Sequence, residues 1–269
     1  MPTFPVLAHI HCIAIEGADA RRFAQTQFSG DVDALAPGHW QWNAWLTAQG
    51  RVQALMQLVD AGDGRLLGVL RGGDSQAIHA ALARYLLRSK AKLAIQPLTA
   101  RAGGPLPSGT VQRDADNMVL GYGSHSLRLA PVDAGAVVDI SANVDWRLTD
   151  IRAGWPTLAA DAQPKFLPPA LGLERLGAVA FDKGCYPGQE IVARLHYRGG
   201  HKHGLCHISG SQPLPLGDVR SATGALQASI LDTVARADGC DSLAILDIDV
   251  SNQINILDDV YTINRKFGS

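Results

Sequence analysis

The sequence predicts an α+β protein, and three observations carry that expectation. Short apolar strands reverse at Gly-rich turns between Trp40 and Leu70, an amphipathic helix follows them, and a last run of short strands begins after Gly200. Strands joined by tight turns make an antiparallel meander, and an amphipathic helix beside it covers one face. Element by element, His9 to Ile15 alternates weakly and ends at Gly17, which reads as a strand. Asp19 can then cap a helix whose Ala20, Phe23, Ala24 and Gln27 share a face, and Ser29-Gly30-Asp31 breaks it. Trp40 and Trp42 open the second strand, which turns at Gln49-Gly50; Val52 to Val59 follows, and Gly62-Asp63-Gly64 reverses the chain into Arg65 to Leu70. Ser75 is placed to cap a helix reaching about Lys90, with Ile78, Leu82, Tyr85 and Leu86 inward, and Leu93 to Gln96 returns as a strand before Pro97. Pro and Gly punctuate short strand-like pieces from Pro97 to Gly135, including Met118 to Gly121 and Leu127 to Ala130. Asp139 to Ile151 is helical in pattern, with Asn143 as a cap. Leu205 to Ser209, Gly224 to Leu231 and Leu243 to Ile248 are the strands of a small terminal β-barrel.

Composition bounds the function classes. The chain has 269 residues, enough for one elaborate domain or two to three small ones, and 46% hydrophobic with 18% charged residues indicates a globular protein. A net charge of −1 exerts no global pull on nucleic acid. No apolar run reaches membrane-spanning length and Met1 to Ile15 lacks a basic leader region, so the cytoplasm is the expected compartment, with no membrane partner. Cys12, Cys185, Cys206 and Cys240 are scattered without Cys-x-x-Cys spacing, which excludes a disulfide framework and a local zinc or iron-sulfur cradle.

The stretch that carries most chemistry is Lys183-Gly184-Cys185-Tyr186-Pro187-Gly188-Gln189-Glu190. Tyr186-Pro187-Gly188-Gln189 suits a type II turn, with Pro187 pre-set at the second position and Gly188 free to take positive φ at the third. Gln189 to Arg198 reads as a short helix with Ile191 and Leu195 on one face, Glu190 in the first turn and Gly199-Gly200 beyond its end. Cys185 therefore stands near a helix N-terminus and beside Lys183, and both favour a thiolate. A lone cysteine is more often a small buried apolar residue.

The octapeptide, continuing as Ile191-Val192-Ala193-Arg194, resembles the signature of the YgfZ family of folate-binding proteins, relatives of the aminomethyltransferase called T-protein in glycine cleavage. The likeness extends through Phe166-Leu167-Pro168, Leu176 to Phe181, Trp146 and Ile151 to Pro156. Gly17 to Ala20, Gln27, Asp31-Val32 and Gly50-Arg51 are similar too. The resemblance implies a T-protein-like ring of three lobes, with ferredoxin-like antiparallel α/β lobes and the small C-terminal β-barrel. Residues 1–200 would form the folate-binding region, two interleaved α+β lobes with an internal boundary near 97–140, and 201–269 the barrel. It also implies tetrahydrofolate or a one-carbon derivative as cofactor in the central cavity, and a role in iron-sulfur cluster assembly or repair in client enzymes, including those that thiolate tRNA.

Folate is a flat pterin with an acidic tail, so its site needs an aromatic or apolar slot, a carboxylate for the pterin N–H groups and a cation for the tail. Trp146 matches a family position associated with folate, and Ile10 falls near a second, where an aromatic residue is expected. Asp31 and Glu190 are candidates to accept from the pterin and Arg152 and Arg194 to pair with the tail; Gln189 with Glu190 would form the wall that positions folate, and Tyr186 is a further candidate for binding it. Any chemistry would fall to Cys185 as nucleophile or transient ligand, with Lys183 as its activator. Each of these residues also has a structural reading: Trp146 as a core aromatic, the charged groups as ion pairs, Glu190 as a partner of its own helix dipole.

Other clusters weigh less. His9-x-His11 with Cys12, and His201-x-His203 with His207, gather soft donors, yet four committed ligands are not visible and no metal site is expected. Trp40, Trp42 and Trp45 read as packing on a sheet face. Arg84, Arg88, Lys90 and Lys92 read as a solvated helix end, so direct nucleic-acid binding is not expected. Arg198 and Lys202 would add to a basic rim. The alternative function is an aminomethyltransferase or other folate-dependent one-carbon transferase; the resemblance to T-proteins implies that such an enzyme uses an aspartate on the strand after a glycine turn to manage the folate amine, a place that falls near Gln53 to Leu55, where this chain has no carboxylate. Two further departures are Pro169 and Gly172, where Gln and Asn are expected.

Overall fold

The computed structural model describes residues 4–114, 117–159 and 164–268. Its first half runs β1 (Val6–Glu16), α1 (Ala20–Gln27), β2 (His39–Leu46), β3 (Val52–Asp60), β4 (Leu66–Leu70), α2 (Ser75–Ala83), β5 (Lys92–Gly103), β6 (Val111–Asp114), β7 (Asn117–Gly121) and β8 (Ser126–Pro131). Then come α3 (Ile140–Ala153), a single 3-10 turn at Pro168–Leu171, and α4 (Gln189–Arg198). The last six strands are β9 (His203–Gly210), β10 (Gly217–Arg220), β11 (Leu226–Arg236), β12 (Gly239–Asp247), β13 (Gln253–Ile256) and β14 (Asp259–Lys266). The α+β class is borne out, with every strand pairing antiparallel. Among the described residues no helix is long and apolar enough to cross a membrane.

The first eight strands form one sheet, in the order β2-β3-β4-β1-β5-β8-β7-β6. It curls until its two edge strands meet. Trp40 N donates to Gly109 O at 2.9 Å, Val111 N donates to Gly38 O at 2.7 Å, and His39 stands opposite Thr110. Strand alternation sorts its side chains: Cys12 and Ala14 of β1 and Leu55 and Val59 of β3 join the inner cluster with Trp40 and Trp42. Ile13, Ile15, Ala54, Met56, Leu58 and Trp45 face the opposite way, where α1 and α2 cover them with Phe23, Ala24, Ile78 and Leu82. Both faces are buried, which is why these strands read as nearly continuous apolar runs.

The second sheet, ordered β10-β11-β12-β9-β14-β13, is also curled, with β10 and β13 as its edges. Gln227 at the start of β11 reaches the β13 end, donating to Asn255 O at 3.3 Å and accepting from Leu257 N at 3.5 Å. Its concave side holds a separate core of Ile208, Val219, Ala228, Ile230, Leu246 and Tyr261. Leu205, Val234, Leu243 and Ile245 from the same strands join the inner cluster of the first sheet, so the two sheets share a core. α3 lies between them. Gly154, at φ 67, ends it where Phe267 packs: a Cβ there would stand 2.6 Å from that ring.

Several local expectations are corrected. Asp74, not Ser75, caps α2, accepting from Gln76 N and Ala77 N. That helix ends at Ala83, because Tyr85 and Leu86 tighten into i→i+3 turns and Arg88 adopts φ 62, reversing the chain; Tyr85 is 52% exposed. β5 does not stop before Pro97 but runs through it. Pro97 lies just before the stretch of β5 that pairs β8, so its missing donor leaves no ladder on that side incomplete. Asp139 caps α3, and Asn143 instead donates from Nδ2 to Leu7 O at 2.9 Å. The Asp19 side chain does not cap α1; it accepts from Lys90 N at 2.7 Å.

Candidate functional site

The octapeptide folds as its residues dictate. Gln189 N donates to Tyr186 O at 3.2 Å across a turn whose third residue, Gly188, has φ 76 and ψ 2, the type II geometry. Glycine is required there twice over, since a Cβ would lie 2.5 Å from Thr47 O and 2.6 Å from the Gly50 Cα. The turn thus sits against the β2–β3 hairpin. α4 begins and ends where expected, but its buried face centres on Val192; Ile191 is half turned outward, against Gly50. The difference follows from the hairpin: with Gly188 seated on Gly50, the next inward position on a 3.6-residue helix is Val192.

Cys185 is exposed, while Cys12, Cys206 and Cys240 are buried. Burial pushes the Cys12 thiol up to about 12 and Cys206 to about 11. Lys183 does not project beside Cys185 as a free cation. Its ammonium donates to Phe28 O at 2.8 Å and Gly30 O at 2.7 Å and lies 5.3 Å from the centroid of the Tyr186 ring. Burial pulls its pKa down to about 8 against the opposing pull of Asp31 and Asp33. The same segment is stitched by Ser29, which donates from Oγ to Ala178 O at 2.7 Å and accepts at its carbonyl from Ala180 N. Lys183 therefore moors the signature loop to the α1–β2 connection.

The other residues singled out in the sequence divide into groups. Asp31 joins the Lys183 neighbourhood, accepting from Gln25 Nε2 at 2.9 Å and Asp33 N at 3.2 Å. Tyr186 is buried, its hydroxyl donating to Ala180 O at 3.3 Å, and burial lifts its pKa to about 12. Gln189 is half-buried, and Glu190 and Arg194 are exposed. Trp146 lies elsewhere, on α3, with ring centroids 5.9 Å from Tyr122 and 5.0 Å from His125. Arg152 ends the same helix, half exposed, with Nε 3.9 Å from Asp241. Ile10 is partly buried against the inner cluster. Of the histidine sets, His207 is held by Asp241, and the His9 side chain lies outside the described residues. Among the described residues no group of three or more His, Cys, Asp or Glu is disposed to hold a metal.

None of the residues that the sequence singled out for folate or for chemistry, from Ile10 and Asp31 to Cys185 and Arg194, lines the cavities that follow. Three cavities, of about 580, 420 and 490 Å3, meet at Lys165 and Phe166. This pair is fixed from the β2–β3 hairpin: Val52 N donates to Phe166 O at 2.9 Å, and the Arg51 guanidinium donates to Lys165 O. The Lys165 ammonium lies 4.6 Å from the centroid of the Phe166 ring and pairs with Asp218. The hairpin that carries the signature turn thus also positions the residues dividing the cavities.

The largest of these three lies between α3 and β10–β11, with Leu158, Phe166, Leu216, Ile230 and Leu231 as apolar wall and Arg147, Asp150 and Asp232 among its polar groups. Arg147 and Asp150 share one side of α3, three residues apart. Arg147 is bound to Asp232, with Nε 3.2 Å from Oδ2. Asp150 Oδ2 accepts from Arg71 Nη2 at 2.6 Å, and that same guanidinium donates to Thr157 Oγ1 at 3.2 Å and stands 5.7 Å from the centroid of the Trp42 ring. Asp150 Oδ1 is buried and accepts no hydrogen bond from the described residues. Burial holds the Asp150 carboxyl above the usual carboxylate range, outweighing the attraction of Arg71. Next to this pair, Trp42 joins Tyr122, His125, Trp146 and Trp155 in one cluster of edge-on and tilted rings. Sequence reasoning missed Asp150, Arg147 and Asp232. The available signal was helical spacing, since Asp150 falls one turn after Trp146 and directly before the Ile151 to Pro156 stretch.

No protein-family model matches the chain. Curated proteins do. The chain is 28% identical over 226 residues to the tRNA-modifying protein YgfZ of Yersinia enterocolitica, spanning 74% of this chain and 68% of that protein. It is 26% identical over 288 residues to the protein of the same name from Serratia proteamaculans, spanning 92% and 86%. The glycine cleavage system aminomethyltransferase T from Bartonella henselae superposes with a TM-score of 0.77 over 97% of this chain and 84% of that one, at 16% identity. The resemblance to YgfZ proteins drawn from the octapeptide is borne out over most of the chain, and the fold is T-protein-like.

Proposed function

We propose that this chain binds tetrahydrofolate or a one-carbon derivative in the cavity beside α3, and that it supports iron-sulfur cluster assembly or repair in client enzymes, including enzymes that thiolate tRNA. One observation carries the binding reading: a buried carboxylate oxygen, Asp150 Oδ1, has no hydrogen-bond partner among the described residues and stands at the wall of a cavity of about 580 Å3 whose surface is largely apolar. A buried acceptor left unpaired is costly, and the N–H edge of a pterin is the kind of group that satisfies it. Phe166, Leu158 and Leu231 supply the flat apolar slot, and Arg147 and Lys165 supply cations. The volume falls in the range of sites for ligands of this size.

The client side of the reading rests on the similarity to proteins named for tRNA modification and on the exposed thiol of Cys185. In this reading the octapeptide and the helix it opens work at the surface, where Cys185, Glu190 and, on α4, Arg194 are exposed, and the hairpin at Gly50 links them to the folate cavity. The transferase alternative asks for a proton-handling carboxylate at Gln53 to Leu55. Gln53 lines the third cavity with an amide, and Leu55 is wholly buried. We therefore favour a binding role over turnover.

The test is a titration of the purified protein with 5-formyl-, 5-methyl- and unsubstituted tetrahydrofolate, read by tryptophan fluorescence and calorimetry. The Trp42 ring lies against Arg71, the partner of Asp150, and packs on Trp155 in the cluster that also holds Trp146, so filling the cavity should change emission saturably. No heat and no fluorescence change with all three would refute the reading.

A further inference from the structure

The net charge of −1 exerts no pull on a polyanion, so a surface for one has to be local. One stretch of the chain has that character. Between Glu190 and Asp218 there is no carboxylate side chain, and Arg194, Arg198 and Lys202 within it are all exposed, with no ion pair or side-chain hydrogen bond among the described residues. Arg194 and Arg198 stand one turn apart on α4, on the side opposite the buried Val192, and Tyr197 stands beside them on that side. Tyr197 is 73% exposed, yet its ring is fixed in place. It lies nearly perpendicular to His196, at 4.8 Å and 82°, and at a steep angle to Phe181, at 6.2 Å and 62°, while those two rings are stacked at 4.0 Å. Glu174 anchors the stack, with Oε2 2.9 Å from His196 Nδ1, and is thereby committed. Asp182 and Glu190 are exposed and pair with none of the three cations. The helix dipole accounts for Arg198 in the last turn, but not for Lys202 beyond Gly199-Gly200, nor for an exposed aromatic ring among the cations.

We infer that this face of α4 and the loop after it bind a short stretch of single-stranded nucleic acid, with phosphates on Arg194, Arg198 and Lys202 and a base stacked on Tyr197. The inference is independent of the folate reading. Composition and the basic helix ends raise no expectation of nucleic-acid binding; the exposed ring of Tyr197 among unpaired cations is what the structure adds. That ring also selects the ligand class. An acidic polypeptide answers the three cations and leaves the ring uncovered, whereas every nucleobase has a face to stack on it. A duplex supplies phosphates but keeps its bases paired and stacked within itself, so it too leaves the ring uncovered. The cations are exposed, so each phosphate contact is modest and falls with ionic strength.

The experiment is a fluorescence-anisotropy titration of the full chain against labelled oligouridylate of about 12 nucleotides, its deoxy counterpart and a duplex of the same length, at about 50 mM and about 200 mM salt. A single strand should bind with a Kd on the order of 10–100 μM at the lower salt, on a log–log salt slope of about −2 for three phosphates. Arg194→Gln and Arg198→Gln should each flatten the slope by about 0.7, whereas Tyr197→Ala should weaken binding roughly tenfold at unchanged slope and Tyr197→Phe should bind as the wild type does. All three side chains are exposed, so circular dichroism should be the same in every variant. Binding of either strand in this way upholds the inference, and the tighter of the two identifies the source as RNA or DNA. Absence of single-strand binding at the lower salt, a duplex bound as tightly as the strand, or a Tyr197→Ala variant within about twofold of wild type overturns it. An oligoglutamate of equal charge that binds as tightly, without dependence on Tyr197, overturns it in favour of an acidic protein partner.

Discussion

Asp150→Asn removes one charge and keeps the shape, which makes it the most discriminating change in the first cavity. Two consequences follow from the geometry. The Arg71 guanidinium loses its carboxylate but keeps its bond to Thr157 Oγ1, and the buried charge whose desolvation outweighed the attraction of Arg71 is gone, so the two changes in stability oppose each other near neutrality. The second consequence is on binding: a charge-assisted hydrogen bond to Oδ1 is worth about 1.5–3 kcal/mol, so affinity for 5-formyl-tetrahydrofolate should fall roughly 10- to 150-fold. Linkage supplies a further signature. The folded carboxyl is raised, so its contribution to stability is complete below the unfolded value of about 3.9 and is lost as pH rises through the folded one. The variant should lack that decline. Calorimetric titration below the melting range, with near-ultraviolet circular dichroism establishing the fold, separates the two effects. A variant that remains folded and binds within about twofold of wild type would refute the role given to Asp150.

Three other expectations follow from the structure. Thiol labelling at neutral pH should modify Cys185 first and leave Cys12, Cys206 and Cys240 slow, because they are buried and burial raises each of them; equal rates would mean that the signature cysteine is no more accessible than the rest. Lys183→Met should unmoor the signature loop, speeding hydrogen exchange at the Ala180 amide, and unchanged exchange would show that the ammonium does not hold it. Since the folded Lys183 titrates at about 8 and the unfolded at about 10.4, the unfolded chain holds the proton more tightly between those values; this group's contribution to stability rises with pH across that window, and the variant should flatten the rise. Asp63, bonded to Arg65 at 2.8 Å and Arg113 at 2.6 Å, is held well below the usual carboxylate range by Arg65 first; its contribution is present above about pH 4 and lost as pH falls through its folded value. With solvent screening Asp63→Asn should cost under about 1 kcal/mol near neutrality, and a difference in melting temperature that persists unchanged in acid would contradict the assignment.

What the sequence made legible is what local physics decides. The Pro187-Gly188 turn, the limits of α4 and the meander from Trp40 to Leu70 depend on neighbouring residues alone, and all are found in place. Trp40, Trp42 and Trp45 pack a sheet as read, although alternation sends Trp45 to the opposite face from the other two. The curl of the first sheet was not legible, because β2 and β6 meet across more than sixty residues of chain through only a few backbone bonds. Nor was the cavity. It is assembled from Asp150 on α3, Phe166 in a loop and Asp232 on β11, and no spacing in the sequence announces that these converge. Helix caps failed for a simpler reason: Asp74 and Ser75, like Asp139 and Asn143, are all competent caps, and only the backbone decides which one stands at the end.

The central claim, that folate sits beside α3 with its pterin edge on Asp150, is tested most directly by a crystal structure of the protein with 5-formyl-tetrahydrofolate. The account predicts density in the cavity of about 580 Å3, the pterin against Phe166 and an N–H group within hydrogen-bond distance of Asp150 Oδ1. A pterin found instead between Gln189, Glu190 and Arg194, with the α3 cavity empty, would contradict it.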